Sequence, residues 1–380
     1  AASGIMSLQF VQIFVIRQLH RNVVLGGHII LHHLPDGFRF KHSLRSADGV
    51  FHRYGIGHIT ARRDNEVFIF RQLGQKIRHE FHIILLRAVK HDGRKRDIAA
   101  DPHFAGSLPA DTYFDFATPY GYGGWLLEGE GDPAPIFADY ERWCGKHGVV
   151  SEFVRYHPVL KNHVRTETAY DVTALGGTIA MDLTSPETIW ANLTSKNRNV
   201  IRKAQKNNVR IYSGRSPELF ETFREIYNAT MDKDNATDYY YFAPSFYESV
   251  CEDLPHNSQL FYAQLPDGTV IASSIMLWAN GRMNYHLSGS RREYQSLAPT
   301  NLLLYEASLW GYETGCKTLH LGGGVGSGED NLYQFKKSFY RGEPCRYHIG
   351  KKIFDEEKYA MLCAMRADLP DSGFFPRYRA

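Results

Sequence analysis

The sequence predicts an α/β protein built from two related halves, and three observations carry that prediction. Residues 283–339 read as strand, turn-rich loop, amphipathic helix, second strand ending in three glycines, and a short Lys-bearing segment. In the strand, Tyr285 and Leu287 alternate with Asn284, His286 and Ser288, the period of a sheet. The helix is expected to start at Thr300 as N-cap and to repeat apolar residues at Leu303, Ala307 and Trp310, with Gly315 past its end. Strand, helix and strand with a crossover of this length give a right-handed parallel unit. The second observation is the run that leads into it: QLFYAQL, VIASSIMLW and RMNYHLSGS, separated by Pro266-Asp267-Gly268 and Asn280-Gly281, predict an antiparallel meander. The third is an internal repeat. Residues 111–158 again give strand, Gly-rich turn, helix with a late Trp (Trp143, as Trp310 in the other copy), Gly and strand.

At 380 residues the chain is long enough for two domains. The divisions expected are an atypical β-rich segment over 1–110, the rest of a first domain over 111–177, a second domain over 178–355 and a tail over 356–380. Residues 1–105 hold 16 basic and 8 acidic side chains, against 28 and 33 in the remainder, and eleven of the eighteen histidines. None of those histidines has a metal-site spacing, and the five cysteines show no CxxC, so no metal is expected and a reducing compartment is. The apolar run over 5–16 is broken by Gln9 and Gln12 and is too short to span a bilayer, which favours a buried strand and a cytoplasmic protein without an integral membrane segment.

Taken in order, residues 1–100 contain the short runs FVQIFVI, NVVLGGHIILHHL, EVFIF and FHIILL, strand-like but with poor turn and cap chemistry between them. Two readings stand: an unusual β-rich part of the first half, or a displaced reading frame that specifies little structure. From residue 112 the text is coherent. YFDFAT is a strand, PYGYGG a turn, PAPIFADYERWCGKHG a helix closed by Gly148, and VVSEFVRYHP a strand stopped by Pro158. Residues 159–177 form a connection ending in Gly176-Gly177, and residues 178–183 a strand. Ser185-Pro186-Glu187 opens a helix expected to run through Ile189, Leu193, Val200, Ile201 and Ala204. RIYSG is a strand, and SPELFETFREIYNATM a helix capped by Ser216 with Pro217 at its first position. YYYFAPSFYESVCEDL gives a further helix after an aromatic lead-in.

A meander followed by strand–helix–strand, preceded by helices, is the element order of the GNAT acyltransferase fold, so the fold class expected is α/β with two tandem GNAT-like domains. The motifs TPYGYGG, RYHP, TSKNRNVIRKAQKNNV, YNATM, YYYF, HLSGSRREYQSLAPTNLLLYEA, HLGGG and LYQFKKSF stand in an order that resembles the FemABX family, named for aminoacyltransferases that build peptidoglycan cross-bridges. The resemblance covers about residues 112–355 and leaves out 1–105, so the first half is expected to be incomplete or atypical at its N-terminal end. It implies transfer of an acyl group, typically from aminoacyl-tRNA, to an amine of a peptidoglycan precursor. It also implies that the Phe335-Lys336 pair lies at the substrate and donor-end site.

The residues themselves supply the candidate chemistry. Lys336 beside an apolar face can neutralise a phosphate or the oxyanion of a tetrahedral intermediate. His286, Asp330 and Asp232 are candidates to accept the amine proton. Arg198 and Arg202, four residues apart, with Lys203 beside them, can grip phosphates. Gly322, Gly323 and Gly324 let backbone approach a ligand closely, while Tyr120 and Tyr122 can line a groove for sugar or peptide. The loop SGSRREYQSLAPT lacks the Gly-x-Gly spacing with which a coenzyme-A-dependent relative holds pyrophosphate. No cofactor is therefore expected, with aminoacyl-tRNA preferred over acyl-CoA as donor, a cell-envelope precursor as acceptor and no DNA partner. Two other readings remain: an acyl-CoA-dependent GNAT N-acyltransferase, and a non-catalytic GNAT-like binding module.

Overall fold

The computed structural model describes residues 67–72, 82–87, 96–118, 121–127, 131–366, 369 and 373–380. Their elements follow in chain order. Up to residue 174 these are β1 (Val67–Gln72), β2 (His82–Arg87), β3 (Arg96–Asp97), β4 (Phe114–Ala117), β5 (Leu126–Leu127), α1 (Ala134–Lys146), β6 (Val149–Arg155) and the start of β7 (Asp171–Asp182). Next come α2 (Pro186–Asn192), α3 (Ser195–Lys206), β8 (Arg210–Gly214), α4 (Pro217–Lys233), α5 (Pro244–Asp253), β9 (Ser258–Gln264), β10 (Val270–Ala279) and β11 (Arg282–Ser290). The chain continues with α6 (Pro299–Glu313), β12 (Thr318–Gly322), α7 (Asn331–Lys337), β13 (Cys345–Ile353) and α8 (Glu356–Ala364). Two compact units result. One holds residues 175–347; the other holds the described residues up to 174 together with 348–380.

In the unit that begins the described chain, β4 and β6 pair in parallel across α1, from Phe114 opposite Val149 to Ala117 opposite Phe153. β3 joins β4 and β13 joins β6, both antiparallel. Ile136, Phe137, Tyr140 and Cys144 recur at helical spacing on α1 and bury against Trp125, Val149 and Val154. The EVFIF and FHIILL runs form β1 and β2, antiparallel to each other, with β5 on β2. The other runs of the first hundred residues, and both readings of that region, fall outside the described residues.

Two polar networks sit inside this unit. Trp125 Nε1 donates to Tyr170 Oη at 2.9 Å, and Tyr170 and Tyr140 both donate to Glu152, at 2.7 and 3.1 Å. Burial pushes the Glu152 carboxyl up to about 7, against the pull of the two tyrosyl hydroxyls. The second network ties the chain's end down. Asp115, fully buried, accepts from Arg96 Nε at 2.8 Å, from Arg379 Nε at 2.5 Å and from Tyr378 Oη at 3.3 Å. Arg379 also reaches Asp101 at 2.8 Å.

The 175–347 unit is a three-layer sandwich whose sheet runs β7-β12-β11-β10-β9-β8. One face packs against α2, α3 and α6 through Ile189, Ile201, Leu303, Ala307, Met276 and Leu319. The opposite face packs against α4 and α5 through Phe223, Tyr227, Phe246, Ile275 and Leu287. β11 and β12 are parallel and joined by α6, as β4 and β6 are by α1. The α/β class and the two related strand–helix–strand halves expected from the sequence are both present.

Four local expectations are corrected. α6 starts at Pro299, not after Thr300, with Ala298 as a left-handed N-cap (φ 55°) and proline in the first turn, where its missing N–H costs no helical bond. The helix expected over 186–204 is two helices, because Leu193 adopts an extended conformation (ψ 142°) and Thr194 caps the second by accepting from Asn197 N. β7 begins at Asp171, so Gly176 and Gly177 lie within a strand; a Cβ on Gly176 would sit 1.9 Å from Ser327 O. Finally, β11 does not keep strict alternation. A bulge between Tyr285 and Leu287, opposite Met276 and Ile275, sends Tyr285 to the α6 face and Leu287 to the α5 face.

Replacing Asp115 with Ala leaves the Arg379 guanidinium, 11% exposed, without its buried counter-charge. We expect a loss of about 3–5 kcal/mol in urea unfolding. Deleting residues 373–380 should cost a comparable amount if this network is what holds the C-terminal segment.

Candidate active site

The geometry of the site follows from a divergence between two parallel strands. β11 pairs with β12 only from Arg282 opposite Thr318 to Asn284 opposite His320. Beyond that point β12 stays on β7, with Gly322 opposite Ile179, while β11 stays on β10 as far as Ser290 opposite Ala272. The two strands therefore open at their carboxyl ends, where open α/β sheets bind ligands. The β11 bulge falls just past the last β11–β12 pair.

Lys336 lies on the β12 side. Asp330 caps α7, its Oδ1 accepting from Tyr333 N at 2.8 Å and its Oδ2 from Val325 N at 3.1 Å. Those backbone bonds hold the Asp330 carboxyl below the ordinary carboxylate range, so it is a fixed anion whose oxygens are both engaged. Six residues after Asp330, Lys336 is 9% exposed and its Nζ donates to Gly323 O at 2.6 Å. Burial brings the ammonium down to about 8, with the Asp330 charge working in the opposite direction. The glycines are explained by this packing. A Cβ on Gly324 would stand 2.3 Å from Asp330 Oδ1 and 2.2 Å from Gly328 O, and Gly322 has φ +81° with its Cβ position 3.4 Å from Lys336 Nζ. Phe335 turns to the core and meets Phe339 edge-on at 5.4 Å. Lys336, Asp330, Phe335 and the three glycines are thus brought together.

His286 lies on the other strand. Its Nε2 is sealed from solvent and has no hydrogen-bond partner among the described residues, and its ring stacks on Phe246 at 6.3 Å. Burial lowers its pKa to about 4, so it is neutral at physiological pH. Between β10 and β11, Ser274 Oγ donates to Ser288 Oγ at 2.8 Å.

The basic residues of α3 are engaged elsewhere. Arg198 Nη1 donates to Leu193 O at 2.5 Å, closing the end of α2, and its Nη2 reaches Ser195 Oγ. Arg202 stacks its guanidinium 5.0 Å over Trp190, and Lys203 Nζ donates to Ser296 O at 2.9 Å. Tyr122 belongs to the other unit, where it meets His157 at 5.3 Å. Tyr120 lies outside the described residues. Asp232 accepts from Tyr241 Oη at 2.7 Å.

Sequence reasoning missed Asn197 and Asn301. Asn197, 2% exposed, donates to Ser338 O at 3.3 Å and accepts from Asn301 Nδ2 at 2.8 Å, joining α3, α6 and the end of α7 behind Lys336. The signal was legible: an Asn four residues before Ile201, on the apolar side of a helix, needs partners.

The His286 environment makes a prediction about pH. The unfolded side chain takes up its proton at about its ordinary 6.5 and the folded one only near 4. Its contribution is fully present above 6.5 and falls as pH drops from 6.5 towards 4, where the unfolded chain binds the extra proton. In thermal melts at pH 7 and 5, His286→Phe should lose less stability on acidification than the parent; an equal loss would place the ring in water.

Residues 195–337 match the family model described as an acetyltransferase (GNAT) domain. Among solved structures the chain is similar to the crystal structure of FemX, at 12% identity over 78% of this chain and 90% of that one, with a TM-score of 0.53. It is also similar to the C-terminal domain of a putative lysylphosphatidylglycerol synthetase from Agrobacterium fabrum, at 14% identity over 71% and 80% of the two chains, TM-score 0.44. For L-PGS from Bacillus licheniformis the values are 11% identity over 75% and 85%, TM-score 0.46. No curated protein matches the chain. The chain has the fold of FemX, and its match to acetyltransferase domains falls on the unit that carries the strand divergence and Lys336.

Proposed function

We propose that the protein is an acyltransferase of FemABX type, moving an aminoacyl or related acyl group onto an amine of a peptidoglycan or other cell-envelope precursor. The observation that carries this reading is Lys336: a buried ammonium held by a backbone carbonyl at the open end of two diverging strands. The acceptor nitrogen attacks the acyl carbonyl carbon, negative charge gathers on its oxygen, and the bond to the donor's leaving oxygen then breaks. A fixed cation in a water-poor site stabilises that charge far better than it would in solvent. The nitrogen of the adduct is much more acidic than the free amine, so its proton can pass to water and no side chain is assigned the role of base. Positioning and electrostatics then supply the catalysis without a covalent intermediate.

The donor we favour is aminoacyl-tRNA, with no cofactor. Pro299 in the first turn of α6 has no N–H, and the Ala298 N–H is already given to Gln295 O, which leaves that helix start poor in donors for a pyrophosphate. The acetyltransferase-domain match favours acyl-CoA as the second reading. No helix among the described residues is long and apolar enough to cross a membrane.

A donor screen decides between them: purified protein with a peptidoglycan precursor, offered charged tRNAs or acyl-CoAs. Turnover with charged tRNA alone is expected, and none with any donor would leave only the binding-module reading. Lys336→Met should lower kcat by about a hundredfold or more while acceptor binding persists. The sign of the pH dependence is fixed. Lys336 is cationic below about 8 and loses its charge above, so the parent rate should fall on a limb near pH 8. Lys336→Arg, which stays charged, should lack that limb.

A further inference from the structure

The β6–β13 pair holds a buried acid opposite a lysine that does not pair with it. Glu152, 2% exposed, stands directly across from Lys352 in the antiparallel register of the two strands. Side chains so placed share one face of a sheet, with Cβ atoms about 5 Å apart. Lys352 nonetheless turns outward: its Nζ reaches the exposed Glu141 carboxylate on α1 at 3.4 Å. Glu152 is held instead by the Tyr170 and Tyr140 hydroxyls, at 2.7 and 3.1 Å, and no cation among the described residues pairs with it. Tyr140, Tyr170, Lys352 and Glu141 line one small cleft, so the ammonium stem runs beside the two tyrosines that cover the acid.

No second charge among the described residues faces Glu152. Its neighbour on β4 is Phe116, α1 presents Tyr140 and Cys144, Tyr170 stands just before β7, and Tyr156 follows β6. Burial, and after it the Glu152 charge, raise all three tyrosines, which therefore stay neutral while the acid titrates. A sealed carboxylate loses the hydration an ion needs, and tyrosyl hydrogen bonds replace only part of it. The cation one strand away can supply the rest. The pair it would give up lies at the surface, where ion pairs contribute little.

We propose that Glu152, Lys352 and Glu141 form a proton-operated switch: while Glu152 carries its proton Lys352 stays with Glu141, and when the proton leaves, the ammonium turns inward to the carboxylate and frees Glu141. The proton goes to solvent, and only ion pairs and hydrogen bonds change. β13 is tied to α1 in one state and to β6 in the other, all within the unit that holds residues 348–380. Burial raises the Glu152 carboxyl to about 7, which places the exchange near neutrality.

The test follows Lys352 in the full chain by labelling with an amine-specific acylating reagent and mass spectrometry between about pH 6 and 8.5, with the exposed Lys146 as internal reference. Contact with an opposite charge raises an amine's pKa by about a unit or more, so the ratio of Lys352 to Lys146 labelling should fall about tenfold as pH passes 7. Glu152→Gln, which keeps the shape of the protonated acid, should hold the ratio constant, and Glu141→Gln should keep the fall. Melting gives an independent sign. With its pKa raised on folding, Glu152 contributes fully below its ordinary 4.5 and loses that contribution as pH rises through about 7. Glu152→Gln should therefore gain stability over the parent at pH 8, and Lys352→Met should lose more at pH 8 than at pH 6. A ratio that stays constant in the parent, or falls equally in Glu152→Gln, overturns the proposal, as does an equal loss in Lys352→Met at the two pH values.

Discussion

An ammonium kept nine-tenths out of water must be compensated where it sits, and the 175–347 unit is arranged around that demand. Lys336 donates a hydrogen bond to Gly323 O, and the Asp330 charge supports it from the start of the same short helix. Both partners depend on backbone that approaches unusually closely. Gly324 leaves room for Asp330, and Gly176 on β7 leaves room for the turn that carries Val325 to Ser327. A side chain at either glycine would move the cap, the cap would move the helix, and the cation would lose its place. The pull of burial exceeds that of Asp330, so the group stays a cation near neutrality but a labile one.

The divergence of β11 and β12 gives that cation something to act on. Parallel strands that part expose backbone and side chains from both edges to one opening. Here the bulge on β11 turns Tyr285 and Leu287 to opposite faces of the sheet, and Lys336 reaches Gly323 just past the end of β12. On the proposed acyltransfer reading, the Lys336 cation is the group available to a developing oxyanion.

The other unit is stabilised differently. Its buried charges are paired and spent on structure: Asp115 between Arg96 and Arg379, and Glu152 under two tyrosines. Such pairs hold one arrangement of the chain because each partner left alone would be costly. In α3, Arg198, Arg202 and Lys203 each make a specific contact to a carbonyl or a ring, while Arg202 and Lys203 stay solvent-exposed.

By itself the sequence determined the class, the order of elements and the duplication. Periodicity, caps and turn residues act over a few positions, so the meander, the two strand–helix–strand units and the candidate status of Lys336 could all be read directly. Where local signals fail, the cause is a contact distant in sequence. Gly176 and Gly177 read as a loop because the neighbours that make β7 a strand lie far along the chain. Alternation along β11 hides the bulge, because register is set by β10 and not by β11 alone. Asp330 reads as a base and is a cap, since its oxygens are claimed by amides that the fold brings to it. The choice of Lys336 as a candidate was local information; its burial, its lowered pKa and its place at the strand divergence belong to the tertiary structure, because desolvation and charge proximity exist only once distant segments have packed.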